Sequence, residues 1–351
     1  MLNFALVGCG RIAKRHSELL GNGIIKGAKL IAVCDHKQNK AKVIAEKFKI
    51  NAYQDMHDMA KKEKIDVFVV LTESGNHAKN VIELAQYKKH IVVEKPMALK
   101  LSDANDMIKI CEKNKIRLCV IKQNRFNLPI VKLREALDGK RFGKIFLGTV
   151  RVRWSRNQEY YDQDSWRGKW LMDGGVLTNQ ASHHIDLLEW MMGDVKSVHA
   201  MSINALADIE AEDTAIVNIR FKSGALGIIE ATTSIRPTDL EGSISIFGEK
   251  GSVEIGGFAV NEIKTWNFLD KTESDKEVFK KYSVNPPNVY GFGHQEYYQN
   301  LVDSINSNTL HHVDGEEGRK SVKLINAIYE SIETKKEVLL SDASGKSRLG
   351  F

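Results

Sequence analysis

Leu2-Asn3-Phe4-Ala5-Leu6-Val7-Gly8-Cys9-Gly10-Arg11-Ile12-Ala13 is the stretch that decides how this chain folds. A short apolar run leads straight into Gly8-x-Gly10-x-x-Ala13, and helix-forming residues follow. The first glycine permits a tight turn after a strand, and the second lets backbone approach a pyrophosphate. The small Ala13 allows the helix to pack closely on that strand. Asp35 closes the next apolar run, about 20 residues further on, where a carboxylate suits the ribose hydroxyls of an adenosine. Such a carboxylate repels a 2′-phosphate, so the pattern predicts NAD in preference to NADP.

Outward from that motif, β-rich runs at 2–7, 30–34, near Tyr53, 65–71, 90–94 and 116–121 alternate with helical stretches at 39–49, 77–88 and 102–114. Continuous apolar strands separated by helices predict a parallel sheet covered on both faces, a doubly wound Rossmann domain over 1–122. Beyond it the texture changes. Helical stretches at 127–138 and 179–192 precede β-rich runs at 144–154, 195–205, 213–221, 225–235, 242–248 and 251–256. Helices at 295–306 and 316–333 finish the chain. This predicts an α+β substrate-binding and oligomerisation domain over 123–351, with a large, mostly antiparallel open sheet. An open sheet needs cover, so a homo-oligomer, dimer or tetramer, is expected.

The 351 residues are 42% hydrophobic and 27% charged, an ordinary globular balance. No uncharged apolar run approaches the about 18 residues of a membrane helix, and the opening lacks a basic lead-in and a cleavage site. A cytoplasmic protein without membrane insertion is expected. Cys9, Cys34, Cys111 and Cys119 show no C-x-x-C spacing and read as buried free thiols. The net charge is +6, yet Lys122–Lys169 alone holds 12 Lys or Arg against 5 Asp or Glu. No DNA-binding motif or aromatic stacking pattern accompanies that excess, so a small anionic substrate is expected and nucleic acid is not.

Further constellations carry chemistry. Glu94-Lys95-Pro96 ends the fifth strand, on the edge where doubly wound sheets bind ligands. Asn179 and His183 lie four residues apart, a spacing that puts them on one helical face, with Asp186 one turn on to orient the imidazole. A capping Asn and a structural His fit the same pattern. No Cys/His cluster surrounds them, so no metal site is expected. Lys122-Gln123-Asn124-Arg125 and Trp166-Arg167-Gly168-Lys169-Trp170 set cations beside amides or aromatics. Tyr290-Gly-Phe-Gly-His294 precedes a helix and reads as a connector or as part of a cleft.

Taken together, GCGRIA, Asp35, the T-x-x-x-N-H stretch at Thr72 to His77, EKP and the His183 helix resemble the family of glucose–fructose oxidoreductases and inositol dehydrogenases. The resemblance implies that Lys95 and His183 are the catalytic pair. Asn179, where members commonly carry Asp, becomes a neutral partner. It implies NAD contacts from Gly8, Gly10, Arg11, Ile12 and Asp35, then from Thr72, Asn76, His77, Glu94, Lys95 and Gln123. Ile121–Arg125, Glu159–Trp170, Asn179–Trp190, Glu241–Gly251 and Val289–His294 are similar to one subfamily. Its members are the UDP-2-acetamido-2-deoxy-D-glucuronate 3-dehydrogenases of bacterial surface polysaccharide (O-antigen) synthesis. That similarity implies oxidation of a sugar C3 hydroxyl, with Lys122, Arg167, Lys169, Asn179 and His183 meeting an anionic UDP-sugar. Another sugar or polyol dehydrogenase of the family, acting on inositol or on UDP-N-acetylglucosamine, is the alternative; one acting on a neutral polyol or sugar would keep the NAD and Lys95 features but not need the basic segment. A non-enzymatic NAD-binding regulator would not need Lys95 and His183 together.

Overall fold

The computed structural model describes residues 1–283, 291–311, 313–345 and 347–351. In it the chain divides into two compact units, 1–121 with 294–322, and 122–293 with 323–351.

In the first unit the apolar runs become strands β1 (Leu2–Val7), β2 (Ala28–Cys34), β3 (Asn51–Tyr53), β4 (Val67–Val70), β5 (His90–Val93) and β6 (Leu118–Val120). They pair in parallel in the order β3-β2-β1-β4-β5-β6. Helices α1 (Arg11–Gly21), α2 (Gln38–Phe48), α3 (Met56–Lys62), α4 (His77–Leu84) and α5 (Leu101–Lys113) connect them. Every residue of β4 is buried, as expected of a strand covered on both faces. The strand order reverses between β1 and β4, and ligands of such sheets bind beyond the strand ends at that switch.

The expected single boundary at residue 122 is corrected by the segment 294–322, which packs with the first unit. The Val120 N–H donates to the Val313 carbonyl at 3.1 Å. Tyr298 reaches His16 of α1, its hydroxyl 2.7 Å from Nδ1. Sequence texture cannot show this return, because a helix carries no mark of the sheet it covers.

The second unit holds α6 (Leu128–Asp138), β7 (Ile145–Arg153), α7 (Gln158–Asp162), α8 (Ser182–Met192), β8 (Val195–Ile203), β9 (Thr214–Phe221) and β10 (Leu226–Thr232). It continues with β11 (Glu241–Gly248), β12 (Gly251–Gly256), β13 (Glu262–Phe268) and α9 (Val278–Tyr282). Helix α10 (Gly293–Asn306) and the start of α11 (Gly315–Thr334) belong to the first unit, and the rest of α11 and strand β14 (Val338–Leu339) to the second. Among the described residues the sheet order is β13-β12-β11-β7-β10-β9-β8-β14, antiparallel except for β7 beside β10. Strands β13 and β14 were not expected. A bulge between Glu254 and Ile255 breaks the alternation of the first hairpin, and β14 is too short to show a period. In β9, Ala215, Val217, Ile219 and Phe221 face inward while Ile216, Asn218 and Arg220 are exposed. Helix α8 covers β7, where Gly148 has no room for a side chain: a Cβ would lie 2.6 Å from the Met192 sulfur. No helix among the described residues is long and apolar enough to cross a membrane.

Candidate active site

The first unit presents a dinucleotide cradle at the β1–α1 turn. Gly8 has φ +97°, and a Cβ there would stand 2.7 Å from the Leu71 carbonyl carbon, so no other residue fits. Gly10 caps α1 without any side-chain cap, and nothing lies within 4 Å of the position a Cβ would take. The glycine thus leaves room beside the start of α1, and a helix start is where phosphate binds. Asp35 is buried and held on both oxygens, accepting from Cys9 N and Lys37 N at 2.8 Å each. An open cradle with a fixed carboxylate beside it fits NAD. Arg11 is exposed and Ile12 half-buried at the same turn. All four cysteines are free and buried, and burial pushes the Cys9 and Cys34 thiols up to about 12.

The neighbouring strand ends are tied by side chains. His77 is buried, its Nδ1 2.7 Å from the Pro96 carbonyl and its Nε2 3.0 Å from the Thr72 carbonyl. Burial lowers its pKa. The imidazole is thus a strut between the ends of β4 and β5, and its ring atoms are not turned to a ligand. Thr72 Oγ1 accepts from Asn80, and Asn76 donates to Glu73. Glu94 is also directed inward: Oε1 lies 3.0 Å from His16 Nε2, and Oε2 accepts from Lys95 N at 2.9 Å. His294 Nε2 stands 3.8 Å from the same Oε1. Burial alone would push the Glu94 carboxyl up, but bonds and charge from His16 and His294 hold it well below its ordinary value. His16, Glu94 and His294 are the one metal-capable group of His, Cys, Asp and Glu among the described residues. Hydrogen bonds within the cluster and to Tyr298 account for His16 and Glu94 without an ion.

In the second unit the turn Gln123–Phe126 is packed against α8 by a buried charge cluster. Arg125 donates to Asp186 through Nε at 2.8 Å and Nη2 at 2.7 Å, and Lys122 Nζ donates to Asp186 as well. Burial would raise the Asp186 carboxyl, but Arg125 and Lys122 drive it far below the carboxylate range. Deleting one member of such a buried cluster costs about 3–5 kcal/mol, because the remaining charges lose their partner. Two expectations change here. The Lys122 ammonium is committed to Asp186 and not presented to an anion, and Asp186 anchors the 122–126 turn. That anchoring places Gln123 Nε2 3.0 Å from His183 Nε2.

Asn179 does not share a helix with His183. Helix α8 begins only at Ser182, whose hydroxyl donates to the Asn179 carbonyl at 3.0 Å. Upstream, Glu212 accepts from Val176 N through its carbonyl and from Leu177 N through Oε1, which locks the preceding turn. Asn179 donates from Nδ2 to Asp173 Oδ1 at 2.7 Å. The carboxylate that position 179 lacks therefore stands beside it, on a residue the sequence reading missed.

The basic excess of 122–169 is neutralised in the fold. Ten of its twelve cations are ion-paired: Lys122, Arg125, Lys132, Arg134, Arg141, Arg151, Arg153, Arg156, Arg167 and Lys169. Several acids come from distant parts of the chain, such as Glu230 and Glu241 on strands and Asp239 in the loop between them, so a sequence window cannot count them. Arg167 pairs with Asp164 at 3.0 Å, donates to the Tyr160 hydroxyl, and stacks on Tyr160 and Trp166 at 4.6 Å each. Lys169 is exposed and pairs with Glu210. Arg156, which sequence reading left out, lies over both Trp154 and Tyr160. Of the glycine-rich motif, Val289 and Tyr290 fall outside the described residues. A Cβ on Gly293 would sit 1.9 Å from the Gln123 carbonyl oxygen, so this glycine is required for a close approach to the turn that carries Gln123.

Comparison with known proteins agrees with this architecture. Residues 2–122 match the model of the oxidoreductase family NAD-binding Rossmann fold, and 134–340 match that family's C-terminal alpha/beta domain. The myo-inositol 2-dehydrogenase of Thermotoga maritima is 30% identical over 98% of this chain and 100% of its own. The WlbA dehydrogenase of Chromobacterium violaceum, solved with NADH and UDP-GlcNAcA, superposes with TM-score 0.91 at 41% identity, covering 96% of this chain and 95% of that one. The Bordetella pertussis WlbA dehydrogenase, in complex with the same two ligands, gives 0.89 at 39%, covering 96% and 98%. The chain belongs to the NAD-binding oxidoreductase family of glucose–fructose oxidoreductase, inositol dehydrogenase and MocA, and residues 2–122 are that family's Rossmann domain.

Proposed function

We propose that this enzyme oxidises the C3 hydroxyl of UDP-2-acetamido-2-deoxy-D-glucuronate to the ketone, within bacterial surface polysaccharide synthesis. The observation that carries the reading is the likeness to two WlbA dehydrogenases solved with UDP-GlcNAcA, at 41% and 39% identity over nearly the whole chain. NAD⁺, held by the Gly8–Gly10 turn and Asp35, supplies the hydride acceptor. Lys95 and His183 form the acid–base pair: one takes the hydroxyl proton, and the other donates a hydrogen bond to the developing ketone oxygen. Asn179, fixed by Asp173, orients the sugar. Because Lys122 is internally paired, anion recognition falls to Arg167 and Arg156 around Tyr160. Both are half-buried guanidiniums whose forks suit a diphosphate or a carboxylate.

A polyol dehydrogenase is the second reading, favoured by the full-length likeness to myo-inositol 2-dehydrogenase and by the neutralised basic segment. Mass measurement of the product of UDP-2-acetamido-2-deoxy-D-glucuronate and NAD⁺ separates the two. A new species lighter by two hydrogens, and trapped by a carbonyl reagent, supports the first reading; an unchanged sugar nucleotide refutes it. Met201, Ile216 and Ile228 are exposed on the open sheet face at 64%, 49% and 40%, which supports a second copy as its cover.

A further inference from the structure

Residues from three separated stretches of the first unit, none of them near another in sequence, converge behind the lysine that the proposed mechanism uses. His16 comes from the second turn of α1, Glu94 from the end of β5, and His294 and Tyr298 from the first turns of α10. All are buried: His16 0%, Glu94 6%, His294 0%. A carboxylate in such a place is normally neutral or absent, because burial penalises its charge. Here one oxygen faces two imidazoles, at 3.0 Å and 3.8 Å, and the other accepts the backbone N–H of Lys95 at 2.9 Å. His16 is itself braced, its other nitrogen 2.7 Å from the Tyr298 hydroxyl. His294 also gives the glycine-rich motif, which reads in sequence as a connector or part of a cleft, a chemical content.

We propose that Glu94, clamped by His16 and His294, is the positioning residue of Lys95. It fixes the backbone from which the lysine projects and sets a negative charge 2.9 Å from the Lys95 backbone nitrogen. The inference rests on Lys95 being the proton-transfer group of the proposed mechanism. The carboxylate is suited to the task because it stays ionised: hydrogen bonds and charge from the two imidazoles outweigh its desolvation. Burial lowers the His294 pKa against the opposing effect of its contact with Glu94, and His16 and Arg15 lower it by charge. His77 on α4 and Tyr297 and Tyr298 on α10 also feel the charge of Glu94. A fixed anion beside a lysine favours the ammonium form, so Glu94 sets the pH at which Lys95 exchanges its proton.

The test measures Lys95 directly and needs no substrate. Trace acylation with acetic anhydride across pH, read by peptide mass spectrometry, gives the pH at which Lys95 is half-reactive. Glu94→Gln should move that point down by about half to one pH unit. It should also cut turnover about tenfold while NAD⁺ binding changes less than about threefold. Glu94→Asp keeps the charge but retracts the carboxylate, so it should lose turnover with the half-reaction point nearly unmoved; it also serves where Glu94→Gln does not fold. His16→Asn combined with Glu94→Gln should cost little more than Glu94→Gln alone, since the residues act as one unit. An unshifted Lys95 in folded Glu94→Gln protein overturns the proposal, as do losses that simply multiply in the double variant. Stoichiometric zinc in the purified protein that disappears in His16→Asn also overturns it, by making the cluster a metal site. If the UDP-sugar assignment fails, the labelling result still stands on its own.

Discussion

The side-chain amide nitrogen of Gln123 lies 3.0 Å from Nε2 of His183, while its side-chain oxygen Oε1 is buried without a hydrogen-bond partner among the described residues. Donating from Nε2, the amide satisfies a neutral imidazole that carries its proton on Nδ1. Turned by half a rotation, the same amide accepts from a protonated Nε2. Gln123 can therefore follow the proton of His183 in both states. Gln123→Leu should lower turnover about 5- to 10-fold, the worth of one ordinary hydrogen bond. Gln123→Glu should raise the apparent pKa of the acid limb of the pH–rate profile, because a carboxylate beside an imidazole favours its charged form. Initial rates across pH for the two variants check both statements.

Lys95→Ala and His183→Ala should each reduce turnover by roughly 10²- to 10⁴-fold, the usual contribution of a positioned acid or base. NAD⁺ affinity and thermal unfolding should stay close to those of the parent protein. Asn179→Ala should do less harm than either, since its amide moves no proton. Steady-state kinetics with a titration of NAD⁺ distinguish lost chemistry from lost binding.

Asp35 should make NAD⁺ bind at least about tenfold more tightly than NADP⁺, because a 2′-phosphate would meet a carboxylate already committed to Cys9 N and Lys37 N. His36, with Nδ1 3.6 Å from the carboxylate, softens the discrimination without reversing it. Dissociation constants for the two cofactors, measured by protein fluorescence, decide the matter; equal affinities would remove Asp35 from cofactor choice.

How much of this was legible follows from the range of each interaction. The parallel sheet and the glycine turn are local in sequence: a short strand, a turn residue at φ +97° and a helix start leave a readable trace. The order of β1 to β6, and Asp35 at the end of β2, follow from the same pattern. Lys122 and Asp186 were read as separate functional groups because their pairing joins residues 64 positions apart. The break before Ser182 was hidden because Glu212, far along the chain, holds the turn at Val176 and Leu177. The pairing of the 122–169 cations was hidden for the same reason, many of their partner acids lying on α8, β10, β11 and in loops.

Glu212 supplies a pH signature for the second unit. It is buried, and desolvation pushes its carboxyl up to about 7 although Leu177 N and Tyr329 donate to it. The folded state thus binds a proton that the unfolded state releases near pH 4.5. Stability contributed by this proton is present at low pH, declines as pH rises from about 4.5 to about 7, and is level above that. The full change is on the order of 3 kcal/mol. Glu212→Gln keeps the Oε1 acceptor and cannot ionise, so its melting temperature relative to the parent should rise as pH increases from 5 to 8. Parallel melting curves for the two proteins would refute this.

The account turns on substrate choice, which relative kcat/KM values measure most directly. NADH formation should be followed with UDP-2-acetamido-2-deoxy-D-glucuronate, UDP-N-acetylglucosamine, UDP-glucuronate and myo-inositol at fixed NAD⁺. If an arginine pairs with the C6 carboxylate, the neutral acetamido sugar leaves that cation unsatisfied, a cost on the order of 2–5 kcal/mol. The acetamido uronate should therefore exceed UDP-N-acetylglucosamine by about 30-fold or more, with the other two compounds slower still. Equal rates on the two acetamido sugars would contradict the carboxylate recognition, and activity on myo-inositol alone would contradict the proposed reaction.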